Sequence, residues 1–249
     1  MTTELRAFAL EGMPEVEAGD DLAALLAAAA ERVGGLEDGD VVVVAQKVVS
    51  KAEGRVVRLD DVEPSERAHE LAGGGERDPR HVQVILDESA RVVRSRPPLV
   101  IVETRHGFVC ASAGVDASNA KGAGTLVLLP LDPDASAARV RAGLRERTGR
   151  DVGVVVSDSF GRAWRQGTTD VALGVAGLTT LLDLRGSRDA AGYELHATQI
   201  AIADELASTA ELVLGKTNGT PAAVIRGLDV RGDGSGRDLL MPPERDLFR

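Results

Sequence analysis

The chain has 249 residues and a net charge of −10, because 39 acidic side chains outnumber 29 basic ones. This balance argues against a general nucleic-acid or anionic-membrane binder, since both need a positive electrostatic field. One cysteine, Cys110, and four scattered histidines exclude an internal disulfide and a zinc cluster. No apolar run approaches the roughly 18 residues of a membrane span, and the acidic N-terminus is unlike a signal peptide. We therefore expect a soluble, cytoplasmic protein.

The predicted elements begin with a helix that is capped by Asp20 or Asp21 and stopped by Gly34 and Gly35. The uninterrupted apolar run Val41–Ala45 predicts a strand that is buried on both faces. Further strands are predicted over 54–59, 82–86, 99–102, 108–112, 125–129, 151–156, 171–175, 178–182 and 222–225. Further helices are predicted over 65–72, 134–147 and 195–210. Because the strands between 80 and 130 follow one another without helices, the pattern indicates an α+β fold with mixed, largely antiparallel sheets and flanking helices.

Two loops carry polar side chains that a core does not require. Lys47 and Lys51 follow the first buried strand, and the residues alone favour a solvated strand edge over a phosphate contact. Residues 114–124 form a longer loop in which Asp116 and Asn119 lie among small residues. This loop is either a ligand-binding loop or an Asx-rich turn between two strands.

A third segment is the most informative. Asp158 and Ser159 directly follow a buried strand and offer hard oxygen ligands for Mg²⁺ or Mn²⁺. Arg162 and Arg165 come next, and arginine suits recognition of a phosphate or carboxylate. The residues alone thus predict a metal-dependent enzyme that acts on phosphates, with Asp116 and Asp158 as metal ligands.

The same segment has a structural interpretation that can also hold. Asp158 is then the cap of a helix in which Phe160 and Trp164 pack as an i,i+4 pair. Other features favour structural roles: the four histidines show no metal-ligand spacing, and Cys110 lies inside an apolar strand. Gly215-Lys216-Thr217 lacks the spacing of a Walker loop and is a turn or a phosphate contact.

Taken together, several blocks resemble the coenzyme F420-0:L-glutamate ligase (F420 gamma-glutamyl ligase) family over roughly residues 5 to 230. The blocks are Glu11-Gly12-Met13-Pro14, Val48-Val49-Ser50-Lys51-Ala52-Glu53-Gly54, Arg105-His106-Gly107-Phe108-Val109-Cys110, Gly114-Val115-Asp116-Ala117-Ser118-Asn119, Ser157-Asp158-Ser159-Phe160-Gly161-Arg162-Ala163-Trp164-Arg165, Ala203-Asp204-Glu205-Leu206-Ala207 and Glu211-Leu212-Val213-Leu214-Gly215-Lys216.

The resemblance implies a ligase that uses GTP and two divalent cations, Mg²⁺ or Mn²⁺, to join L-glutamate to F420-0 and then adds further gamma-linked glutamates. It also allows K⁺ as a monovalent cation, and it implies an intertwined homodimer. Under it, residues 1–230 form the ligase domain, which can divide into two subdomains, and residues 231–249 form a C-terminal tail. Some actinobacterial members carry a flavin-binding domain after this one, so the chain corresponds to a stand-alone ligase or to an N-terminal ligase domain.

Carried over residue by residue, the resemblance assigns three metal ligands and a guanine-nucleotide site. The metal ligands are Asp116, Asp158 and Ser159. The nucleotide-site residues are Gly12, Met13, Pro14, Glu15, Gln46, Lys51, Asn119, Gly215 and Lys216. Arg162 and Arg165 are expected to hold a substrate carboxylate or phosphodiester, and with Asp116 and Asp158 they make up the expected catalytic set.

The sequence departs from the family pattern at several of these positions. Gln46 stands where Ser or Thr is expected, Ser112 where Asn is usual, Ser159 where Thr is commoner and Lys216 where some members have Gln. Ala163 replaces a frequent Pro. Two other functions stay open at this stage: a metal-dependent phosphohydrolase, and a non-catalytic guanine-nucleotide-binding module.

Overall fold

A five-stranded sheet organises the structure, a computed structural model that describes residues 4–117 and 122–247. The strands of the whole structure are β1 (Arg6–Ala9), β2 (Val41–Ala45), β3 (Val56–Arg58), β4 (Ser89–Arg96), β5 (Leu99–Thr104), β6 (Val109–Ala111), β7 (Thr125–Val127), β8 (Gly153–Arg162), β9 (Arg165–Ala176), β10 (Leu181–Asp183), β11 (Gln199–Ala201) and β12 (Ala222–Arg226). The α-helices are α1 (Leu22–Glu31), α2 (Gln46–Ala52), α3 (Glu66–Leu71), α4 (Pro79–Asp87), α5 (Pro133–Thr148) and α6 (Ile202–Leu214).

The main sheet has the strand order β1-β12-β2-β8-β9. β2 and β8 are parallel, with Ala45 opposite Ser157, and the other neighbours are antiparallel. Val42 and Val44 pack on the side of α1 and α5, whereas Val41 and Val43 pack on the side of α6. The prediction of a strand buried on both faces is therefore confirmed for β2.

A second core lies under the three-stranded sheet β4-β5-β6 and the pair β3-β7. α3 and α4 cover it, and its buried residues include Leu71, Ile85, Val102 and Leu126. Mixed α+β architecture with mainly antiparallel pairing is thus confirmed in the described residues. The intertwined homodimer stays a prediction.

The strand predicted over 82–86 is wrong, because these residues lie inside α4. Asp78 caps this helix by accepting a hydrogen bond from the backbone N–H of Arg80 at 2.9 Å, and Pro79 occupies the first turn. Val82 and Ile85 then fall on one buried helical face. The Asp-Pro start signal thus prevails over the β-branched composition.

Other helix and strand boundaries also differ from the prediction. The residues after Ala45 form α2 rather than a strand edge, and the helix predicted over 195–210 begins at Ile202, after strand β11. The helix start at Asp158 is wrong, because β8 continues to Arg162 and pairs with β9. The helices predicted after Asp21 and at Asp132–Asp134 are confirmed, each with an aspartate cap.

The segment after residue 230 packs back on the main body over its described part. Ser235 Oγ donates to Asp134 Oδ2 at 2.6 Å, and Thr180 Oγ1 donates to Asp238 Oδ2 at 2.8 Å. A Cβ on Gly236 would come within 2.3 Å of the Leu173 carbonyl oxygen, so this turn requires glycine. The predicted division into a domain over 1–230 and a tail stays a prediction.

Candidate functional site

A cleft of about 440 Å³ opens where β2 ends at Ala45, beside Ser157 of β8. Ligands of α/β sheets bind at this position because the loops beyond parallel strand ends diverge there. The chain enters α2 directly from β2, and β8 presents Ser157, Asp158 and Ser159 to the cleft. The lining residues are Met13, Pro14, Glu15, Val16, Ala45, Gln46, Lys47, Val48, Lys51, Ala111, Gly114, Val115, Asp116, Ser157, Asp158, Ser159, Asp170, Glu211, Leu214, Gly215, Lys216, Thr217, Gly219, Thr220 and Pro221.

Most of the predicted site residues meet in this cleft, although they come from five separate parts of the chain. Those that line it are Met13, Pro14, Glu15, Gln46, Lys51, Asp116, Asp158, Ser159, Gly215 and Lys216. Gly12 does not line it, and its carbonyl accepts a hydrogen bond from Arg32 Nη1 at 2.8 Å. Asn119 lies outside the described residues.

Asp116 and Asp158 approach the cleft from opposite cores. Asp116 follows β6 and forms a two-way backbone bridge with Val127, at 3.0 and 2.8 Å. Its carboxylate pairs with the ammonium group of Lys47 at the start of α2. The lysine that the sequence left as a solvated edge is therefore a cleft residue.

The Asp158 carboxyl is strongly perturbed. Burial, followed by the neighbouring carboxylates of Asp170 and Asp116, raises its pKa from 3.8 to about 7, against the lowering effects of the Ser159 backbone N–H and Lys47. Perturbed carboxyls of this kind are concentrated at functional sites, because catalysis and metal binding use charges that a core avoids. Cys110 lies near Asp158. Burial, and to a smaller extent the charge of Asp158, raise the pKa of its thiol to about 12.

Asp170 of β9 is a further cleft residue that sequence reasoning missed. Its carboxylate accepts hydrogen bonds from Ser157 Oγ at 3.0 Å and from Ser159 Oγ at 2.5 Å. Its backbone N–H donates to Glu211 Oε2 of α6 at 2.9 Å. Lys216 Nζ contacts Ser159 Oγ. It also lies 3.9 Å from Asp170 Oδ1 and 3.9 Å from Glu211 Oε1. The sequence signal that could have identified Asp170 is its place directly before the apolar run 171–175.

The opposite wall of the cleft joins the N-terminal segment to α2. Lys51 Nζ donates to Glu15 Oε1 at 2.5 Å. Gln46 is 1% exposed and accepts a hydrogen bond from Ser50 Oγ at 2.9 Å. Its Nε2 group has no partner among the described residues. A buried donor without a partner is unfavourable, and Gln46 lines the cleft, so a turn of its side chain would let this amide donate to a bound molecule.

The two predicted arginines lie elsewhere. Arg162 and Arg165 face each other at the tip of the β8–β9 hairpin, and neither lines the cleft. Between them Trp164 has a φ of +58° and is 82% exposed. The expected packing of Phe160 on Trp164 is therefore wrong; Phe160 packs edge-on against Phe108 instead. The catalytic role of both arginines stays a prediction.

Comparisons with known proteins identify the family of the chain. The family model described as F420-0:Gamma-glutamyl ligase matches residues 12–227. The chain belongs to this family. A protein of Methanothermobacter thermautotrophicus named coenzyme F420:L-glutamate ligase is 46% identical over 245 residues, which cover 96% of this chain and 97% of the relative.

Two further relatives carry the same name. The Methanopyrus kandleri protein is 48% identical over 94% of both chains. The Archaeoglobus fulgidus protein is 42% identical over 97% of this chain and 95% of its own length. The family match includes every lining residue of the cleft, from Met13 to Pro221.

In the described part of the chain, no helix is both long and apolar enough to cross a membrane.

Proposed function

We propose that the chain is a GTP-dependent ligase that joins L-glutamate to F420-0, and then adds further gamma-linked glutamates, through an acyl phosphate. The observation that carries the proposal is the cleft, in which the family's acidic and lysine positions converge where β2 ends beside β8. The family description names F420-0, and the names of the relatives give coenzyme F420 and L-glutamate. A carboxylate must be activated before it can form an amide, and a nucleoside triphosphate can activate it by phosphorylation.

Hard oxygen donors in the cleft fit divalent cations. Asp116, Asp158 and Ser159 are the proposed ligands, and Asp170 adds a carboxylate beside them. In the described residues no three His, Cys, Asp or Glu side chains are already arranged as a metal centre. Two lysine ammonium groups instead contact Asp116 and Ser159, so cation binding would require these lysines to turn toward the nucleotide. Bound Mg²⁺ or Mn²⁺ would neutralise the charge of the transferring phosphoryl group.

The nucleotide is assigned to the wall formed by the N-terminal segment and α2. Met13, Pro14 and Glu15 contribute this wall together with Gln46 and Lys51. Lys47 and Lys216 then provide mobile positive charges for phosphate oxygens, as lysine does in many phosphate sites. Gly215 has a φ of +63° and lets the chain turn close to the same region.

The proposed reaction forms and breaks bonds in two steps. A carboxylate oxygen of F420-0 attacks the γ-phosphorus of GTP, so that GDP leaves and an acyl phosphate forms. The amine of L-glutamate then attacks the acyl carbon, and the amide forms as inorganic phosphate leaves. Phosphoryl transfer of this kind depends mainly on positioning and on charge neutralisation, and both are tasks that the cleft residues fit.

The family resemblance also leads us to propose a homodimer in the cytoplasm, with K⁺ as a further candidate cation. Among partners, we expect GTP, L-glutamate and F420-0, and we expect neither nucleic acid nor a membrane.

The decisive assay measures GDP release from GTP with Mg²⁺ or Mn²⁺, while L-glutamate and F420-0 are omitted one at a time and products are weighed by mass spectrometry. The ligase predicts glutamyl mass additions that need every component. GDP release without glutamate incorporation would identify a phosphohydrolase. Nucleotide binding without turnover would identify a binding module.

A further inference from the structure

Three consecutive residues before Asp116 adopt left-handed backbone conformations. The φ angles are +57° at Ser112, +55° at Ala113 and +66° at Gly114. Left-handed conformations are unfavourable for residues with a Cβ, and they persist where the surrounding structure fixes them. The segment leads directly into Val115 and Asp116, so whatever fixes this turn also fixes where the Asp116 carboxylate lies.

Arg77 contacts the start of this turn from outside the cleft. Its Nη1 donates to Ser112 Oγ at 3.0 Å, and its Nη2 lies 3.0 Å from His81 Nε2. Arg77 comes just before Asp78, the cap of α4, and is half-buried, whereas His81 lies in the first turn of that helix. One guanidinium thus connects the left-handed turn to the helix packed beside it.

His81 holds the Arg77 guanidinium in place. A guanidinium only donates hydrogen bonds, so His81 Nε2 must accept from Arg77 and the ring proton must sit on Nδ1. Burial and the Arg77 charge lower the pKa of His81 to about 4, which keeps the ring neutral near pH 7. Arg77 therefore donates to Ser112 on one side and to His81 on the other.

We propose that Arg77 and His81 are positioning residues for the ligase reaction, acting as a clamp in which His81 holds the Arg77 guanidinium on Ser112 and so aims the Asp116 carboxylate into the cleft. This inference rests on the proposed function, because Asp116 owes its role to that proposal. Neither clamp residue lines the cleft. Both act through the backbone before Asp116, in the way that outer partners orient the groups that bind a metal.

The test compares matched variants of the full chain. Arg77→Met removes both contacts, and Arg80→Met is its control, since Arg80 lies on the same helix start but pairs with Asp78 and Asp60. His81→Asn retains a donor at the Nδ1 position, whereas His81→Leu retains only volume. We expect the Mn²⁺ concentration for half-maximal turnover to rise roughly 10- to 100-fold in Arg77→Met and His81→Leu. His81→Asn should recover part of this loss, and Arg80→Met should behave as wild type.

Two measurements are independent of turnover. Nitrogen NMR of His81 should find a neutral ring with its proton on Nδ1 at pH 7. Amide hydrogen exchange of Val115 and Asp116, which donate to Ser112 and Val127, should accelerate in Arg77→Met and not in Arg80→Met. If wild type lacks ligase activity while these two signatures hold, the proposed function fails and the clamp stands. Unchanged exchange and unchanged Mn²⁺ dependence in a folded Arg77→Met protein would overturn the clamp. A proton on Nε2 would overturn it as well.

Discussion

Lys47 Nζ and Asp116 Oδ2 form an ion pair that joins the first turn of α2 to the loop after β6. The pair therefore bridges the main sheet and the second core across the mouth of the cleft. Both side chains are partly shielded, with 20% of the lysine and 35% of the aspartate side chain exposed. An ammonium group that pairs with a carboxylate at this position can exchange that partner for a phosphate oxygen.

Replacing Lys47 by Gln should raise the KM for GTP roughly 10- to 100-fold, because a charged hydrogen bond to phosphate contributes about 1.5–3 kcal/mol. The KM for L-glutamate should change little. Lys47→Arg is the matched control, since it keeps the charge and should keep most of the GTP affinity. Steady-state kinetics with each substrate varied in turn checks this. An equal effect on both KM values would assign Lys47 a general structural role.

Asp158→Asn should stabilise the cation-free protein at high pH while it abolishes turnover. The folded pKa of Asp158 is about 7 against an ordinary 3.8, so the folded state holds a proton that the unfolded chain has released between these pH values. The free energy of unfolding therefore falls as pH rises through this window, by about 4 kcal/mol in total. The amide of asparagine carries no such charge.

Thermal unfolding with a chelator at pH 4 and pH 8 measures this effect. At pH 8 the variant should melt higher than wild type, on the order of 10 °C, and at pH 4 the difference should nearly vanish. Asp61→Asn, at an exposed position, serves as the control. A variant that melts below wild type at pH 8 would contradict the buried-charge account.

Gln46→Leu tests the unpartnered amide. The substitution removes a buried donor that has no partner in the described residues, which is favourable, and also the acceptor of Ser50 Oγ, which is unfavourable. Because the two effects oppose each other, the stability of the free protein should change by no more than about 2 kcal/mol. GTP binding should weaken about tenfold by calorimetry if the amide donates to the nucleotide, while Ser50→Ala, which touches only the far side of Gln46, should bind normally. Unchanged GTP affinity in Gln46→Leu would remove Gln46 from the nucleotide site.

Arg162→Gln and Arg165→Gln separate a substrate role from a structural one. Both arginines are exposed at the tip of the β8–β9 hairpin, so neither substitution should shift the melting temperature. If these side chains bind the anionic groups of F420-0, its KM should rise about tenfold while the KM for GTP stays constant. Arg188→Gln, in another exposed loop, is the control. Wild-type kinetics in both variants would contradict the role assigned to them.

The sequence predicted the parts of the fold that local chemistry determines. The Val41–Ala45 run and the aspartate-capped helices formed as expected, because burial and capping act over a few residues. α4 was misread, since Val82 and Ile85 suit a strand as well as a helix until the Asp78 cap is weighed. β8 was read as stopping at Val156, because its continuation depends on pairing with β9 and not on its own polar residues.

The site was predicted unevenly for a related reason. Asp116, Asp158 and Lys51 stand at strand ends or in a recognisable family block, and the structure brings them into one cleft. Asp170 carries no motif of its own, and its importance appears only when β9 lies beside Ser157 and Ser159. The clamp could not be predicted from the sequence, because Arg77 contacts Ser112, which lies 35 positions further along the chain.

Oxygen-isotope transfer tests the central claim most directly. F420-0 labelled with ¹⁸O in its reacting carboxylate is incubated with the enzyme, GTP, L-glutamate and Mn²⁺, and the released phosphate is weighed by mass spectrometry. A GTP-dependent ligase that passes through an acyl phosphate predicts one ¹⁸O atom in the phosphate released with the first glutamate, and none in the phosphate released with later glutamates. Addition of the first glutamate with unlabelled phosphate, or without GTP consumption, would contradict the account.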